Sequence, residues 1–249
     1  MSSLQKEPEP MSIPLSIIIP VYNESDIIND TLQQLLSRHF YFPFEIIVVD
    51  GDPKGTTIAS ISFLHIIKII GKKGRGSQMN AGARLAKGDV LLFLHADTLL
   101  DSGAFEKIMS VMNHPQVSAG AFQLGIRSGK TAYRIIEKAV TFRTRFSKIP
   151  YGDQGIFVRK KTFFQMGGFK DISIMEDVDL MRRLKRSKRK IVLLSEKAYT
   201  SSRRWEKEGI LYCTLRNWAL ISLYLLGLPP SRLARFYRSR RSRLAEKIE

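Results

Sequence analysis

The chain predicts an α/β fold, a doubly wound sheet of buried strands with helices on both faces and a helical extension at the C-terminus. Three observations carry this expectation. Short runs that are apolar on both faces recur at 15–19, 45–49, 66–70 and 90–94, the pattern of strands buried in a parallel sheet. Segments with helical spacing of apolar residues lie between them. Several of the apolar runs end on acidic or polar residues.

Taken in order, residues 1–12 carry Glu and Pro without an apolar core and read as a disordered lead-in. With no secretory signal in that stretch, the chain is expected to stay in the cytoplasm. The strand at 15–19 ends at Pro20, and Ile28, Leu32, Leu35 and Leu36 follow Asn23-Glu24-Ser25 at helical spacing. The strand at 45–49 ends at Asp50. The strand at 66–70 runs into a basic loop at 71–76, and a short helix at 79–85 is stopped by Gly88. The strand at 90–94 ends at His95-Ala96-Asp97. A strand at 117–126, a helix at 131–146, a short strand at 155–158 and a helix at 160–166 closed by Gly167-Gly168 come next. A helix at 177–186 presents Val178, Met181 and Leu184 on one face, and a strand follows at 191–194. No repeat or low-complexity linker interrupts this pattern, so one domain is expected over 13–204.

Residues 205–249 differ in character. The segment 210–228 is largely apolar, then Pro229-Pro230 leads into a helix dense in arginine. Arg216 and Asn217 sit near the centre of the apolar segment. A central arginine costs about 2.5–3.5 kcal/mol on insertion. The segment is therefore expected to pack on the domain or to lie in a membrane interface rather than to span.

The 249 residues are 44% hydrophobic, enough for a core without disulfides, and Cys213 is the single cysteine. Neither an internal disulfide nor a cysteine-rich metal site can form. Forty Lys and Arg against 23 Asp and Glu give a net charge of +17 and a pI of about 10.1. Such a field draws nucleic acid, anionic lipid or phosphorylated substrates. No zinc-finger or RNA-recognition signature accompanies the charge, which places nucleic acid last.

In an open α/β sheet, ligands bind at the carboxyl ends of the strands. Residues 20–24, Asp50-Gly51-Asp52 and His95-Ala96-Asp97 fall at such ends. One acid there is also a good turn former, whereas acids on successive strands point to a site. Asp97 suits a hard divalent cation, Mg²⁺ or Mn²⁺. His95 reads as a structural cap on its strand, with a nitrogen ligand for Mn²⁺ as the alternative. Glu176-Asp177 open a helix, where a carboxylate is stabilised as the anion. They serve either as helix caps or as a general base whose pKa the like charge beside it raises. The loop at 71–76, with Lys72, Lys73 and Arg75, is either a phosphate contact or a solvated basic turn. It is not a Walker loop.

Together these residues carry a resemblance. Ser16-Ile17-Ile18-Ile19-Pro20-Val21-Tyr22-Asn23-Glu24, Ile46-Ile47-Val48-Val49-Asp50-Gly51, Phe93-Leu94-His95-Ala96-Asp97-Thr98, Gly167-Gly168-Phe169 and Glu176-Asp177 resemble, in order, the family 2 glycosyltransferases of the GT-A fold. Arg75-Gly76-Ser77-Gln78-Met79-Asn80 and Tyr151-Gly152-Asp153-Gln154 are closer still to a bacterial branch labelled transferase 2, associated with radical-SAM and selenoprotein-type domains. The resemblance implies a mixed Rossmann-like sheet and inverting transfer of a single sugar from a UDP- or GDP-type donor to an acceptor hydroxyl or carboxyl. It implies that Asp50 contacts the base or ribose, with Pro20, Tyr22 and Glu24 lining that pocket. Arg75 would contact nucleotide or phosphate, Asp97 would bind the metal, and Asp177 would be the catalytic base. Asp153, Gln154 and Glu176 would face the acceptor. Two departures stand out. His95 occupies the first position of the usual Asp-x-Asp motif, and the loop after Asp50 reads Gly51-Asp52-Pro53-Lys54-Gly55 where the family has a Gly/Ser-rich turn. An apolar segment followed by arginines would hold such an enzyme peripherally on the inner face of an anionic membrane and suit a lipid or isoprenoid acceptor. Two rival functions stand beside this one. A non-catalytic polyanion- or membrane-surface-binding protein explains the charge without the carboxylates. A sugar-phosphate nucleotidyltransferase needs a Gly-rich, Lys-containing signature after the first strand, which residues 20–24 do not supply.

Overall fold

The computed structural model describes residues 14–38 and 41–237. The expected lead-in at 1–12 and the end of the basic C-terminal segment lie outside them. The first half alternates strand and helix: β1 (Leu15–Val21), α1 (Ser25–Leu36), β2 (Phe44–Asp50), α2 (Thr56–Ala59), β3 (Ile67–Ile70), α3 (Arg75–Leu85) and β4 (Val90–Phe93). There follow β5 (Leu99–Leu100), α4 (Ala104–Met112), β6 (Val117–Arg127), α5 (Thr131–Ser147) and a 3-10 turn at Gly152–Gln154. After the turn come β7 (Ile156–Arg159), α6 (Lys160–Gln165), α7 (Glu176–Arg186) and β8 (Lys190–Ser201). Three helices close the described chain: α8 (Arg203–Glu208), α9 (Ile210–Leu225) and α10 (Pro230–Tyr237).

The eight strands form one sheet in the order β3-β2-β1-β4-β7-β6-β8-β5. Neighbours from β3 to β4 are parallel, as the buried runs predict. β7 then enters antiparallel to both β4 and β6, so the sheet is mixed and the doubly wound expectation holds for its first half alone. The reason lies in α5. It leaves from the carboxyl end of β6 and returns the chain to that same end, so β7 runs back along the sheet. β8 extends to twelve residues, well past the expected 191–194. Its polar Ser195-Glu196-Lys197 interrupt the apolar run without ending the strand, because Lys197 finds the buried Glu137 of α5 at 3.2 Å.

Both sheet faces are covered. Ile17, Ile19, Val48 and Leu92 pack under Ile28 and Leu32 of α1 and Phe105 and Ile108 of α4. On the other side, Ile18, Ile47 and Phe93 meet Met79 and Ala83 of α3 and Leu180 and Leu184 of α7. This two-sided burial is why the strands read as continuous apolar runs. α3 lies close on its face because Gly82 carries no side chain, and a Cβ there would come within 2.6 Å of Ile18. Six strands that run in one direction, β1 to β4 with β6 and β8, thus end on one edge of the sheet, joined by the 3-10 turn before β7 and the N-terminus of α7. Among the described residues no helix is long and apolar enough to cross a membrane.

Candidate active site

That edge holds a cavity of about 840 Å³, lined on its polar side by Arg75, His95, Asp97, Asp153 and Asp177. The five side chains arrive from four places in the chain. Asp97 and His95 follow β4, Arg75 opens α3, Asp153 sits in the 3-10 turn, and Asp177 is in the first turn of α7.

Asp177 is tied to its neighbours through backbone amides. Its Oδ2 accepts a 2.5 Å bond from the Gly152 N–H and its Oδ1 a 2.8 Å bond from the Val178 N–H. Glycine at 152 favours the close approach, since a Cβ there would lie 3.1 Å from both Asp177 Oδ2 and His95 Nε2. The helix is entered through Met175 in the left-handed region, at φ 67°. This is a strained state for a long side chain and is held by its surroundings at the cavity wall. Burial and the Arg75 guanidinium push the His95 imidazole down to about 4, so the ring is neutral near pH 7. Burial raises the Asp153 carboxyl to about 6 against the pull of Arg143, with Asp177 adding to the rise, and Asp153 Oδ1 is buried without a hydrogen-bond partner.

Glu176 does not reach the cavity wall. It is buried behind Arg75 and pairs with it at 2.9 Å. Burial raises its carboxyl while Arg75 opposes the rise, and Glu176 in turn raises Arg75. The pair fixes the guanidinium near Asp177 and Asp153. The rest of the 75–80 motif is a clamp. Gln78 Nε2 donates to the carbonyls of Val21 and Val49, at 2.7 and 2.8 Å, tying together the ends of β1 and β2. Asn80 exchanges bonds of 2.8 and 2.9 Å with the backbone of Phe169 and so pins the loop leading to α7. The other cations of the basic loop are also engaged. Lys72 pairs with Asp171 at 2.6 Å, and Lys73 donates to Tyr22 Oη at 3.0 Å.

The residues expected around a base or ribose lie apart from the cavity lining, at the ends of β1 and β2. Pro20 is buried near the end of β1, and Tyr22 is half-exposed. Asp50 is fully buried. Its Oδ1 accepts from the Asp52 N–H and its Oδ2 from the Thr57 and Ile58 N–H groups, at 2.9 to 3.2 Å. It therefore organises the loop that follows it. Glu24 links the two loops, its N–H donating to Thr57 Oγ1 at 3.2 Å. Burial, and then the Asp97 charge, raise its carboxyl.

Gln154 is fully buried and takes no part in the cavity lining. Its Oε1 accepts from Thr144 Oγ1, Arg143 and the Tyr151 N–H, each at 3.1 Å. Its Nε2 donates to the Phe122 carbonyl at 3.0 Å. It joins α5 to the turn that carries Asp153. The sequence did not single out Arg143, Trp205 or Arg203, all of which line the cavity. Arg143 stacks 3.4 Å over the Tyr151 ring, and Arg203 lies 3.9 Å from Asp97. The Tyr151 motif was the one available signal for this wall, because Arg143 is an unremarked member of a basic helix.

For a divalent cation, Asp97 offers a carboxylate on the cavity surface, and neutral His95 stands beside it. No group of three or more His, Cys, Asp or Glu side chains able to hold a metal is found among the described residues. The donor set fits a cation completed by ligand oxygens and water, the habit of Mg²⁺ and Mn²⁺ at phosphates.

A sheet of this form, with carboxylates converging at its carboxyl edge, is that of sugar-transferring enzymes of the GT-A fold. Residues 16–173 match the family model for Glycosyl transferase family 2, and the chain belongs to that family of glycosyltransferases. It is 25% identical over 214 residues to an uncharacterized glycosyltransferase of Haemophilus influenzae, a match covering 82% of this chain and 69% of that one. The mannosyltransferase PcManGT from Pyrobaculum calidifontis, solved with GDP-Man and Mn²⁺, superposes with a TM-score of 0.61 at 14% identity, covering 92% of this chain and 72% of that one. S. aureus TarS 1–349 with UDP-GlcNAc gives a TM-score of 0.57 at 18% identity, covering 76% and 58%. Family membership sets aside a purely non-catalytic binding role.

Proposed function

We propose that the chain moves a single sugar from a UDP- or GDP-type donor to an acceptor hydroxyl or carboxyl, with inversion at the sugar carbon. The observation that carries this is the convergence of Arg75, Asp97, Asp153 and Asp177 on one cavity. In this reading residues 13–204 form the catalytic domain and 205–249 an extension that walls the acceptor side. The 75–80 and 151–154 motifs support reading the chain as a member of the transferase 2 branch that they resemble.

The nucleotide lies along the ends of β1 and β2, between Tyr22 and the loop that Asp50 shapes. Arg75, held by Glu176, faces the diphosphate. Asp97 would hold Mg²⁺ or Mn²⁺, and the ion would offset the charge that builds on the leaving diphosphate. Asp177 accepts the proton of the acceptor oxygen as that oxygen attacks the sugar carbon. The carbon–oxygen bond to the diphosphate breaks, and its electron pair leaves with the nucleotide. The two backbone amides on Asp177 fix its direction. Asp153 and Arg143 bound the acceptor side of the same space.

Calorimetric titration of UDP, GDP and their sugar conjugates, with and without Mn²⁺, tests the donor site. One nucleotide should bind in a metal-dependent manner, and Asp97→Ala should lose that binding while remaining folded. Folded protein that binds none of them with metal present would sink the proposal.

A further inference from the structure

The outer faces of α5 and α9 are the reverse of what a soluble helix presents. α9 runs sixteen residues, and Cys213 and Leu220 are its buried ones. Leu211, Leu215, Trp218 and Leu225 recur at helical spacing along its outside, and Leu211 is 73% exposed. On α5, Ile135, Phe142 and Phe146 share one exposed stripe, with Phe142 at 75% and Phe146 at 86%. A soluble surface helix puts such a stripe against the core, and contiguous exposed apolar surface marks an interaction site.

The charge on these helices says what covers them. Exposed Lys138, Arg145 and Lys148 stand among the aromatic residues of α5 and at its end. The only carboxylate of that helix, Glu137, is turned inward and paired with Arg134 at 2.8 Å and Lys197 at 3.2 Å. α9 has no acidic residue, and its Arg216 is taken by Glu208 at 2.6 Å. The outer surface is therefore apolar on both helices and cationic along α5, the signature of a helix lying in an anionic membrane interface. Packed across a two-fold axis against a second copy, the same face would set its cations against their like.

The inner sides of the same helices wall the cavity: Ile136, Val140 and Arg143 from α5, and Thr214, Asn217 and Ile221 from α9. Trp218 both lines the cavity and is 48% exposed, so it stands at the opening. The cavity thus gives a path from Trp218 at its rim to Asp153 and Asp177, with Ile136, Val140 and Ile221 as apolar side chains on its walls.

We infer that α5 and α9 dock the protein on an anionic lipid surface, with the cavity mouth against the bilayer to receive a membrane-borne acceptor. This rests on the reading of the cavity as the transfer site. The acceptor class follows from the path: an apolar tail in the helix-walled end and an attacking oxygen at the carboxylates.

Flotation of the full chain with vesicles of phosphatidylglycerol and phosphatidylcholine, against phosphatidylcholine alone, tests the docking. Two exposed double variants, Phe142→Ser with Phe146→Ser and Leu211→Ser with Leu215→Ser, are compared with the parent. Thermal melts and nucleotide titration check the fold and the donor site of each. The parent should float with anionic vesicles, and each double variant should lose about tenfold or more in partitioning while still melting cooperatively and binding nucleotide. Three results would overturn the docking. The parent could stay unbound to anionic vesicles while binding nucleotide, which spares the donor-site reading. Its binding could vanish in high salt and be indifferent to both serine pairs, leaving charge alone. Size exclusion could show a dimer that the serine pairs dissociate, giving the face to a second copy. Loss of nucleotide binding by the parent would instead remove the transfer-site reading itself.

Discussion

Asp177 and Asp153 share one space and are held differently, and their chemistry separates accordingly. Asp177 is gripped by two backbone amides, whereas Asp153 has an oxygen buried without a partner. Asp177→Asn keeps the size of the side chain and removes the base. It should lower transfer by about 10²–10⁴-fold with nucleotide binding retained, as read by single-turnover transfer and calorimetry. Two perturbed groups also set opposing slopes of stability against pH. Asp153, raised to about 6, binds a proton in the folded state that the unfolded chain has released. Its contribution is therefore present below the ordinary carboxyl range and is lost as pH rises toward 6. His95, lowered to about 4, does the reverse, and its contribution grows as pH rises from 4 through the ordinary imidazole range. Denaturant titrations between pH 4 and 7 should show Asp153→Asn gaining a steeper rise with pH than the parent. His95→Gln should show a shallower rise than the parent. Identical slopes in all three proteins would refute both assignments.

At the scale of elements, the site depends on how α3 and α7 are joined. Arg75 and Glu176 make the link, and Arg75→Ala would leave Glu176 buried without its cation. Losing one partner of a fully buried pair costs roughly 3–5 kcal/mol. Arg75 is part-exposed, so a loss toward the lower end of that range is expected, measured by denaturant unfolding. Adding Glu176→Gln should recover part of it, and a single variant as stable as the parent would contradict the pairing. β1, β2 and β4 were legible because burial on both faces leaves them largely apolar, whereas β3, at the sheet edge, is partly exposed and carries Lys68. The reversal at β7 was not legible, since it depends on where α5 delivers the chain rather than on local pattern. α4 was readable and went unread: Ala104, Phe105, Ile108 and Met112 are its buried residues at helical spacing. Asp97 and Asp177 could be picked out because one follows a strand and the other opens a helix, and Asp153 through the motif resemblance alone. Gln78, Asn80 and Gln154 act by bonding backbone groups far away in sequence, and no local pattern reveals such partners. Gln154 in particular was expected to face the acceptor and instead holds α5 to the 3-10 turn.

For the molecule as a whole, the sheet supplies a rigid edge and the later helices supply the far wall of the cavity. α5, α8 and α9 bring Arg143, Trp205, Arg203 and Asn217 to a space whose floor is built by β4 and α7. Among the described residues some cations are partnered inside, such as Arg75 with Glu176, and others, such as Lys138 and Arg145, are exposed on the outer helices. Capture by an anionic surface should weaken as salt screens the outer set, while the parent's metal-dependent nucleotide binding should be less sensitive because its partners are partly buried. Parallel salt titrations of vesicle flotation and of calorimetric binding measure this difference.

The central claim is that carboxylates converging at one edge of the sheet perform sugar transfer, with Asp177 taking the proton. Its most direct measurement is nucleoside diphosphate release coupled to sugar incorporation into a polar lipid extract. The parent, Asp177→Asn and Asp153→Asn would be compared at saturating donor with Mn²⁺. Transfer by the parent should collapse in Asp177→Asn and persist in Asp153→Asn with weaker use of acceptor. Undiminished transfer by folded Asp177→Asn, or its abolition by Asp153→Asn instead, would contradict that assignment.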